Sequence, residues 1–388
     1  RLVDAARMLG ASRWRAFREV TWPLLRPAIA SASSIVFLFT FTSFGVILLL
    51  GGPRFATLEV EIYRQVAQLL DLPTAAALAL LQMAALLALL LAYARTQERL
   101  AVSLRPVAAA ASARRPRGAG EWLFLALTLA GTALLLGAPL AALVARSVAA
   151  PDGGLTLSSY VALLSGERQP ALFVPPLEAL RNSLVFALVT TAICVVLGLL
   201  ASVVVARRRG WLGRSFDALL MLPLGTSAVI VGFGFIVAFG RLPLDIGFDL
   251  RTSPLLIPLA HALVALPFVV RAVAPQLRAI DVRLREAAAV LGASPARAWR
   301  EVELPIIGRA LLVGGGFAFA VSLGEFGATL FIARPETPTL PVAIFRLLAQ
   351  PGALVFGEAL AMSVVLMAVT GLAMLAIDRF RVGVIGQF

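Results

Sequence analysis

There is no lysine among the 388 residues; all 34 basic side chains are arginine. A Walker A loop needs its lysine to reach the nucleotide phosphates, so the chain has no standard ATPase site. Schiff-base chemistry on a lysine amine is excluded for the same reason. The one cysteine, Cys194, sits inside an apolar run and leaves no intrachain disulfide and no cysteine-based metal cluster. The one histidine, His261, removes histidine-rich zinc and di-iron sites, so no bound metal is expected. Charge is scarce as well, at 14%, while 60% of the residues are hydrophobic and the mean hydropathy is +0.93. The solvent for such a chain is a bilayer.

Eight apolar segments stand near the ~20 residues a helix needs to cross the hydrocarbon core. They cover 29–50, 75–94, 122–145, 183–206, 218–240, 254–270, 310–333 and 359–377, and six of them hold no charged residue and no histidine. The predicted fold class is an all-α integral membrane protein, a polytopic helical bundle.

Residues 281–309, DVRLREAAAVLGASPARAWREVELPIIGR, interrupt this apolar background with five arginines. The pattern predicts a helix, a break at Gly292, then a second helix capped by Ser294 with Pro295 at its first position. Taken alone, such a stretch also fits an amphipathic interfacial helix pair. A second copy exists. Residues 4–28 align without a gap to 286–310 at an offset of 282, with 13 of 25 positions identical. The same offset continues downstream, where Phe44 and Gly45 meet Phe326 and Gly327, Thr57 and Leu58 meet Thr339 and Leu340, and Arg64 meets Arg346. A repeat of that length is a duplicated membrane half.

The domain reading follows from the repeat. Residues 1–97 are the later part of a first half, with one loop and two membrane helices. Residues 98–121 form an Ala/Ser/Pro/Gly-rich linker with Arg114, Arg115 and Arg117, suited to an anionic lipid surface. Residues 122–388 are a second half with six membrane helices. The chain opens on Arg inside the first loop, so we expect an N-terminally truncated first half. The outer segment 146–182 starts with a turn at Pro151 to Gly154 and is expected to hold a short surface helix.

With both repeated loops on the inside, strict alternation places 25 of the 34 arginines on the cytoplasmic side, while acidic residues divide evenly. The positive-inside rule therefore supports this orientation, which also puts the C-terminus in the cytoplasm. The net charge of +13 is a topology charge, and no nucleic-acid partner is expected.

The motif EAA-x3-G with a following Leu-Pro pair (Glu286, Ala287, Ala288, Gly292, Leu304, Pro305) resembles the EAA loop of ABC-importer permeases, type I. Its first copy reads Asp4, Ala5, Ala6 and Gly10, with Trp22 before Pro23. Asp4 keeps the carboxylate; Trp22 replaces the usual Leu. The whole chain resembles the fused, two-half permeases of the thiamine and ferric-iron importer group. The run FTSFGVILLLGGPRFATLEVEIYRQ is similar to thiamine permeases in particular, whereas SLGEFGATLFI also resembles molybdate and sulfate permeases. The resemblance implies a multi-pass protein of the bacterial inner membrane that works by alternating access. Its partners would be two copies of a cytoplasmic ABC ATPase and an extracytoplasmic substrate-binding protein. ATP and Mg would be bound by the ATPase, and no cofactor by this chain. The coupling residues would be Asp4, Ala5, Ala6, Gly10 and Pro23, with Glu286, Ala287, Ala288, Gly292 and Pro305.

Four features bear on chemistry. Glu325 is an acid inside an apolar segment, which points to a cavity or a partner; its repeat position is Ser43, so it breaks the internal symmetry. It fits a substrate gate or a lock between helices, and Ser43, Phe44, Glu325 and Phe326 are the substrate-pathway candidates. His261 reads as a structural hydrogen-bonder. The matching outer stretches 51–65 and 333–347 read as turns that shape the external mouth. Phe37, Phe39, Phe41, Phe44, Phe317, Phe319 and Phe326 read as packing, with a cation–π site as the rarer use.

Two other classes compete. A membrane enzyme would need an acid, base or nucleophile constellation, yet Glu325 and His261 share no motif. An ion-driven secondary transporter also uses repeats and membrane acids, but has no use for paired EAA loops.

Overall fold

A computed structural model describes residues 2–100, 115–150, 153–165, 172–208, 210–240 and 253–381. Residues 101–114 of the linker, Arg114 among them, and residues 151 and 152 of the outer turn lie outside them. Among the described residues there is no sheet, only a single bridge between Ala149 and Leu155. Among the described residues, six helices are long and apolar enough to cross a membrane, and a bent pair would make a seventh.

The chain divides into two compact units, one of residues 1–113 with 225–227 and one of the remainder. The first unit contains α1 (Leu2–Met8), α2 (Arg13–Ala16), α3 (Trp22–Phe41), α4 (Gly45–Leu50), α5 (Leu58–Ala67) and α6 (Leu72–Leu100). A π-turn, Phe17–Thr21, joins α2 to α3 without interrupting the helix. Helix α5 is amphipathic: Ile62 and Val66 are buried and it packs along α6.

The second unit holds α7 (Ala119–Ser147), α8 (Ser158–Leu164), α9 (Pro176–Arg207), α10 (Trp211–Gly225), α11 (Ala228–Gly240) and α12 (Leu256–Ala279). It continues with α13 (Val282–Val290), α14 (Pro295–Ala298), α15 (Leu304–Gly324), α16 (Gly327–Ile332), α17 (Leu340–Leu348) and α18 (Ala353–Arg381). Helix α8 is the short helix expected in the outer loop. Helices α9, α12 and α15 form its centre around Cys194, Ala265, Val269, Val273, Ile307 and Ala318. Small residues let them approach: a Cβ on Gly198 would stand 2.7 Å from a Val269 methyl, and one on Gly314 would stand 2.9 Å from the Val269 Cα.

Three of the predicted crossing segments differ from expectation. Segment 29–50 is continuous only to Phe41, and segment 310–333 only to Gly324; each resumes as a six-residue helix. Segment 218–240 is bent by 97° between α10 and α11. Apolar composition fixes which residues avoid water but not whether their helix is unbroken, because side chains and neighbouring helices can satisfy a break inside the bilayer. Helices α10 and α12 also extend into stretches expected to be cytoplasmic loops, 211–217 and 271–279.

Candidate functional site

The two repeated loops fold alike. In each, a short helix ends at a glycine of positive φ, Gly10 at +86° and Gly292 at +82°. Neither Cβ position is crowded, so glycine is needed for the left-handed backbone. The next helix is capped by a serine whose Oγ accepts a backbone N–H three residues on, Ser12 from Arg15 and Ser294 from Arg297. A five-residue π-turn follows in each copy, Phe17–Thr21 and Trp299–Glu303. Pro23 and Pro305 then stand at the second residue of α3 and α15, directly after the π-turns. Helix α2 starts at Arg13 and α14 at Pro295, α3 at Trp22 and α15 at Leu304: the 282-residue offset holds element by element.

These loops are exposed. Asp4, Ala5 and Gly10, and Glu286, Ala287 and Gly292, face solvent, while Ala6 and Ala288 are half-buried. At the tips, Met8, Leu9, Val290 and Leu291 are 87–89% exposed. Four large apolar side chains are thus left bare in two matched turns. The carboxylate of Glu286 is not the cap of α13. Asp281 is, its side chain accepting from the Arg283 N–H at 2.9 Å.

The second loop has an additional tether that the sequence did not suggest. Glu303, at the end of the π-turn, is buried and accepts from Arg207 at 2.9 and 3.2 Å. Arg285 lies 3.6 Å away on its other side. Arg207 also stacks over the Trp299 ring at 5.4 Å. The first copy has Thr21, Val3 and Phe17 at the positions of Glu303, Arg285 and Trp299, so it cannot build the same clamp.

The helix breaks occupy matched positions too. In the first copy, Thr42 closes α3 by donating its hydroxyl to the Leu38 carbonyl at 3.0 Å, and α4 starts at Gly45. In the second, Glu325 terminates α15 in an extended conformation and α16 starts at Gly327. Glu325 folds back onto α16. Its Oε1 accepts from the Ala328 N–H at 2.9 Å and its Oε2 from the Thr329 N–H at 3.0 Å and the Thr329 hydroxyl at 2.5 Å. The carboxylate therefore caps α16 and matches its positive end.

His261 on α12 joins this cluster. Its Nε2 lies 2.6 Å from Thr329 Oγ1 and 3.3 Å from Glu325 Oε2, and its Nδ1 lies 2.7 Å from Ser322 Oγ. Ser322 donates onward to Thr190 Oγ1 at 3.3 Å, and Thr190 to the Pro258 carbonyl. Five polar side chains from α9, α12, α15, the break and α16 thus satisfy one another in the interior. The geometry makes Glu325 a junction of helices, and the hydrogen-bonding role expected of His261 holds.

Each break is braced by an aromatic pair. Phe44 meets Tyr63 edge-on at 5.7 Å, and Phe326 meets Phe345 at 5.5 Å. These are the same two positions 282 residues apart, so Phe44 and Phe326 hold the break to the outer helix that follows. Phe37 and Phe41 stack at 5.8 Å and Phe268 and Phe317 at 6.4 Å, in line with packing. Ser43 is half-buried beside its break.

The first copy holds a buried acid of its own. Glu59 on α5 is 1% exposed and accepts from Gln82 Nε2 of α6 at 2.8 Å. Burial pushes its carboxyl up to about 7, against the lowering effect of its hydrogen bonds. Sequence reasoning passed over Glu59 as a loop residue. The available signal was its repeat position, Pro341, the same loss of symmetry that singled out Glu325.

The sequence pattern of the family described as "Binding-protein-dependent transport system inner membrane component" matches residues 1–102 and 195–382. The molybdenum transport system permease protein ModB of Mycobacterium tuberculosis is 36% identical over 209 residues, covering 51% of this chain and 77% of that protein. The thiamine transport system permease protein ThiP of Escherichia coli (strain K12) is 28% identical over 352 residues, covering 88% of this chain. The chain spans 61% of the length of that thiamine permease. In fold, the chain is similar to a solved bacterial ABC transporter involved in the import of the acidic polysaccharide alginate. That likeness has a TM-score of 0.52 at 17% identity and covers 67% of this chain and 96% of the other.

Proposed function

Because the chain belongs to the family of binding-protein-dependent transport system inner membrane components, we propose that it is the permease of an ATP-driven importer and that its substrate is thiamine. The observation that carries the permease mechanism is the duplicated exposed loop, Gly10 and Gly292 at its two bends, with the bare tips Met8–Leu9 and Val290–Leu291. Two such tips match two copies of a cytoplasmic ATPase. ATP and Mg sit on those subunits, and a chain without lysine contributes no phosphate loop of its own.

In this reading, ATPase closure pushes on α1–α2 and α13–α14. Each push passes through a continuous helix into the membrane and rocks one half against the other, exposing the substrate route to alternate sides. An extracytoplasmic binding protein delivers substrate on the outer side of the membrane. Ser43, Phe44, Glu325 and Phe326 set the angle of each helix break beside that route. Glu325 acts there through the helix it caps, since its oxygens already have donors. The C-terminus lies in the cytoplasm.

Thiamine is favoured because similarity to the thiamine permease runs through both halves and 88% of the chain. Molybdate is the second reading, supported by the higher identity, 36%, to the molybdenum permease over about half of the chain. The test is ATP-dependent uptake of radiolabelled thiamine, molybdate and ferric iron into vesicles holding the full-length permease, its ATPase and its binding protein. Saturable thiamine uptake supports the proposal. Molybdate or iron uptake without thiamine overturns the substrate, and uptake that needs no ATP overturns the mechanism.

A further inference from the structure

At one end of the second unit, α9, α10, α12 and α13 enclose a cavity of about 910 Å³. Among the described residues, Arg207, Arg208, Arg278 and Arg285 line it, with two carboxylates, Glu303 and Asp217. Glu303 is already shared by Arg207 and Arg285. Arg278 spends one of its donors on the Val205 carbonyl at 3.2 Å. The Arg285 Nε is buried and makes no hydrogen bond, since its nearest Glu303 oxygen is 3.6 Å off. A surplus of two positive charges and an unspent buried donor ask for an anion with several oxygens.

The rest of the lining is apolar, with Val205, Leu277, Ile280 and Val282. The cavity opens where the crossing helices α9 and α12 end, and Trp211, 70% exposed at the start of α10, marks the interfacial level. With the repeated loops inside, this is the cytoplasmic headgroup layer. A ligand with an anionic head and an apolar body, arriving from the bilayer, fits both walls.

We propose that this cavity binds the phosphodiester headgroup of an anionic phospholipid, with the arginines on the phosphate and the aliphatic wall against the glycerol end. The site rests on the membrane orientation given above but not on the identity of the transported substrate. Since Arg285 and Glu303 belong to the second loop and its π-turn, a bound lipid stiffens that loop alone.

The experiment is native mass spectrometry of the full-length protein in detergent, titrated with phosphatidylglycerol or with phosphatidylcholine. The expected result is selective retention of phosphatidylglycerol, weakened about 25-fold in an Arg208→Gln/Arg278→Gln variant, as for two interfacial arginines worth roughly 1 kcal/mol each. The Arg208→Lys/Arg278→Lys variant, which keeps the charges, should regain most of the binding, which separates a lost contact from a misfolded protein. Equal retention of both lipids, or a Gln variant that binds as the parent does, overturns the proposal. Displacement of the lipid by millimolar inorganic phosphate reassigns the site to a free anion. Loss of ATPase co-purification in the Gln variant with lipid binding intact reassigns it to the ATPase, and either result also overturns the proposal.

Discussion

The two copies of the repeat share their element boundaries to within one residue from the serine cap to the short helix after the break, yet place their buried acids differently. The second copy puts Glu325 in the break itself and Glu303 under the exposed loop. The first has Ser43 and Thr21 there, and buries Glu59 in its outer helix instead. Backbone geometry was retained through duplication while the polar fastenings moved. The matched stretches are therefore alike in backbone and unequal in what holds them. A break capped by a carboxylate that four other polar side chains support should be stiffer than one where a threonine hydroxyl closes the helix.

The largest effect should come where the copies are alike. Gly10→Pro and Gly292→Pro each place a residue restricted to φ near −65° at a positive φ, and each is expected to abolish coupled uptake while the protein stays in the membrane. Measuring uptake against ATP turnover checks this; a large loss in only one variant would show that a single loop transmits the stroke.

Next comes the break. Glu325→Ala removes a buried, paired carboxylate and strands its donors, so a loss of about 3–5 kcal/mol is expected, whereas Ser43→Ala should cost less than about 1 kcal/mol. Thermal unfolding in detergent of the two variants reads the difference directly, and similar shifts would refute the asymmetry.

Acid in the first copy gives a third handle. Below pH 4.5 Glu59 is protonated in both the folded and unfolded chain. As pH rises to about 7 only the unfolded chain ionises, so stability falls across that window, by roughly 3 kcal/mol, and is flat beyond it. Glu59→Gln should erase that slope.

The smallest effect tests the shared brace. Phe44→Leu and Phe326→Leu each lose an aromatic pair, about 1 kcal/mol, and should do so equally if the two breaks are built alike.

Much of this architecture was legible in the residues. The offset of 282, the loop bends at Gly10 and Gly292 and the Ser294 cap could be read because they depend on local backbone chemistry written twice. The breaks at Ser43 and Glu325 were not, because FTSFGVILLL and SLGEFGATLF are apolar on both sides of the interruption and hydropathy cannot see a turn. Nor was the Arg207–Glu303 pair, whose partners lie 96 residues apart and meet only once α9 and α15 pack. Glu325 was recognised as costly but not as a helix cap, since its donors come from a short helix that exists only after the break.

The continuity of the second copy's helix has a mechanical consequence. From the Ser294 cap through the π-turn to Gly324, residues Pro295–Gly324 form one uninterrupted helical span of 30 residues, about 45 Å long at 1.5 Å per residue. One end carries the exposed loop and the other the capped break, so a tilt of about 5° about the loop end would carry the break about 4 Å sideways, about the width of a side chain.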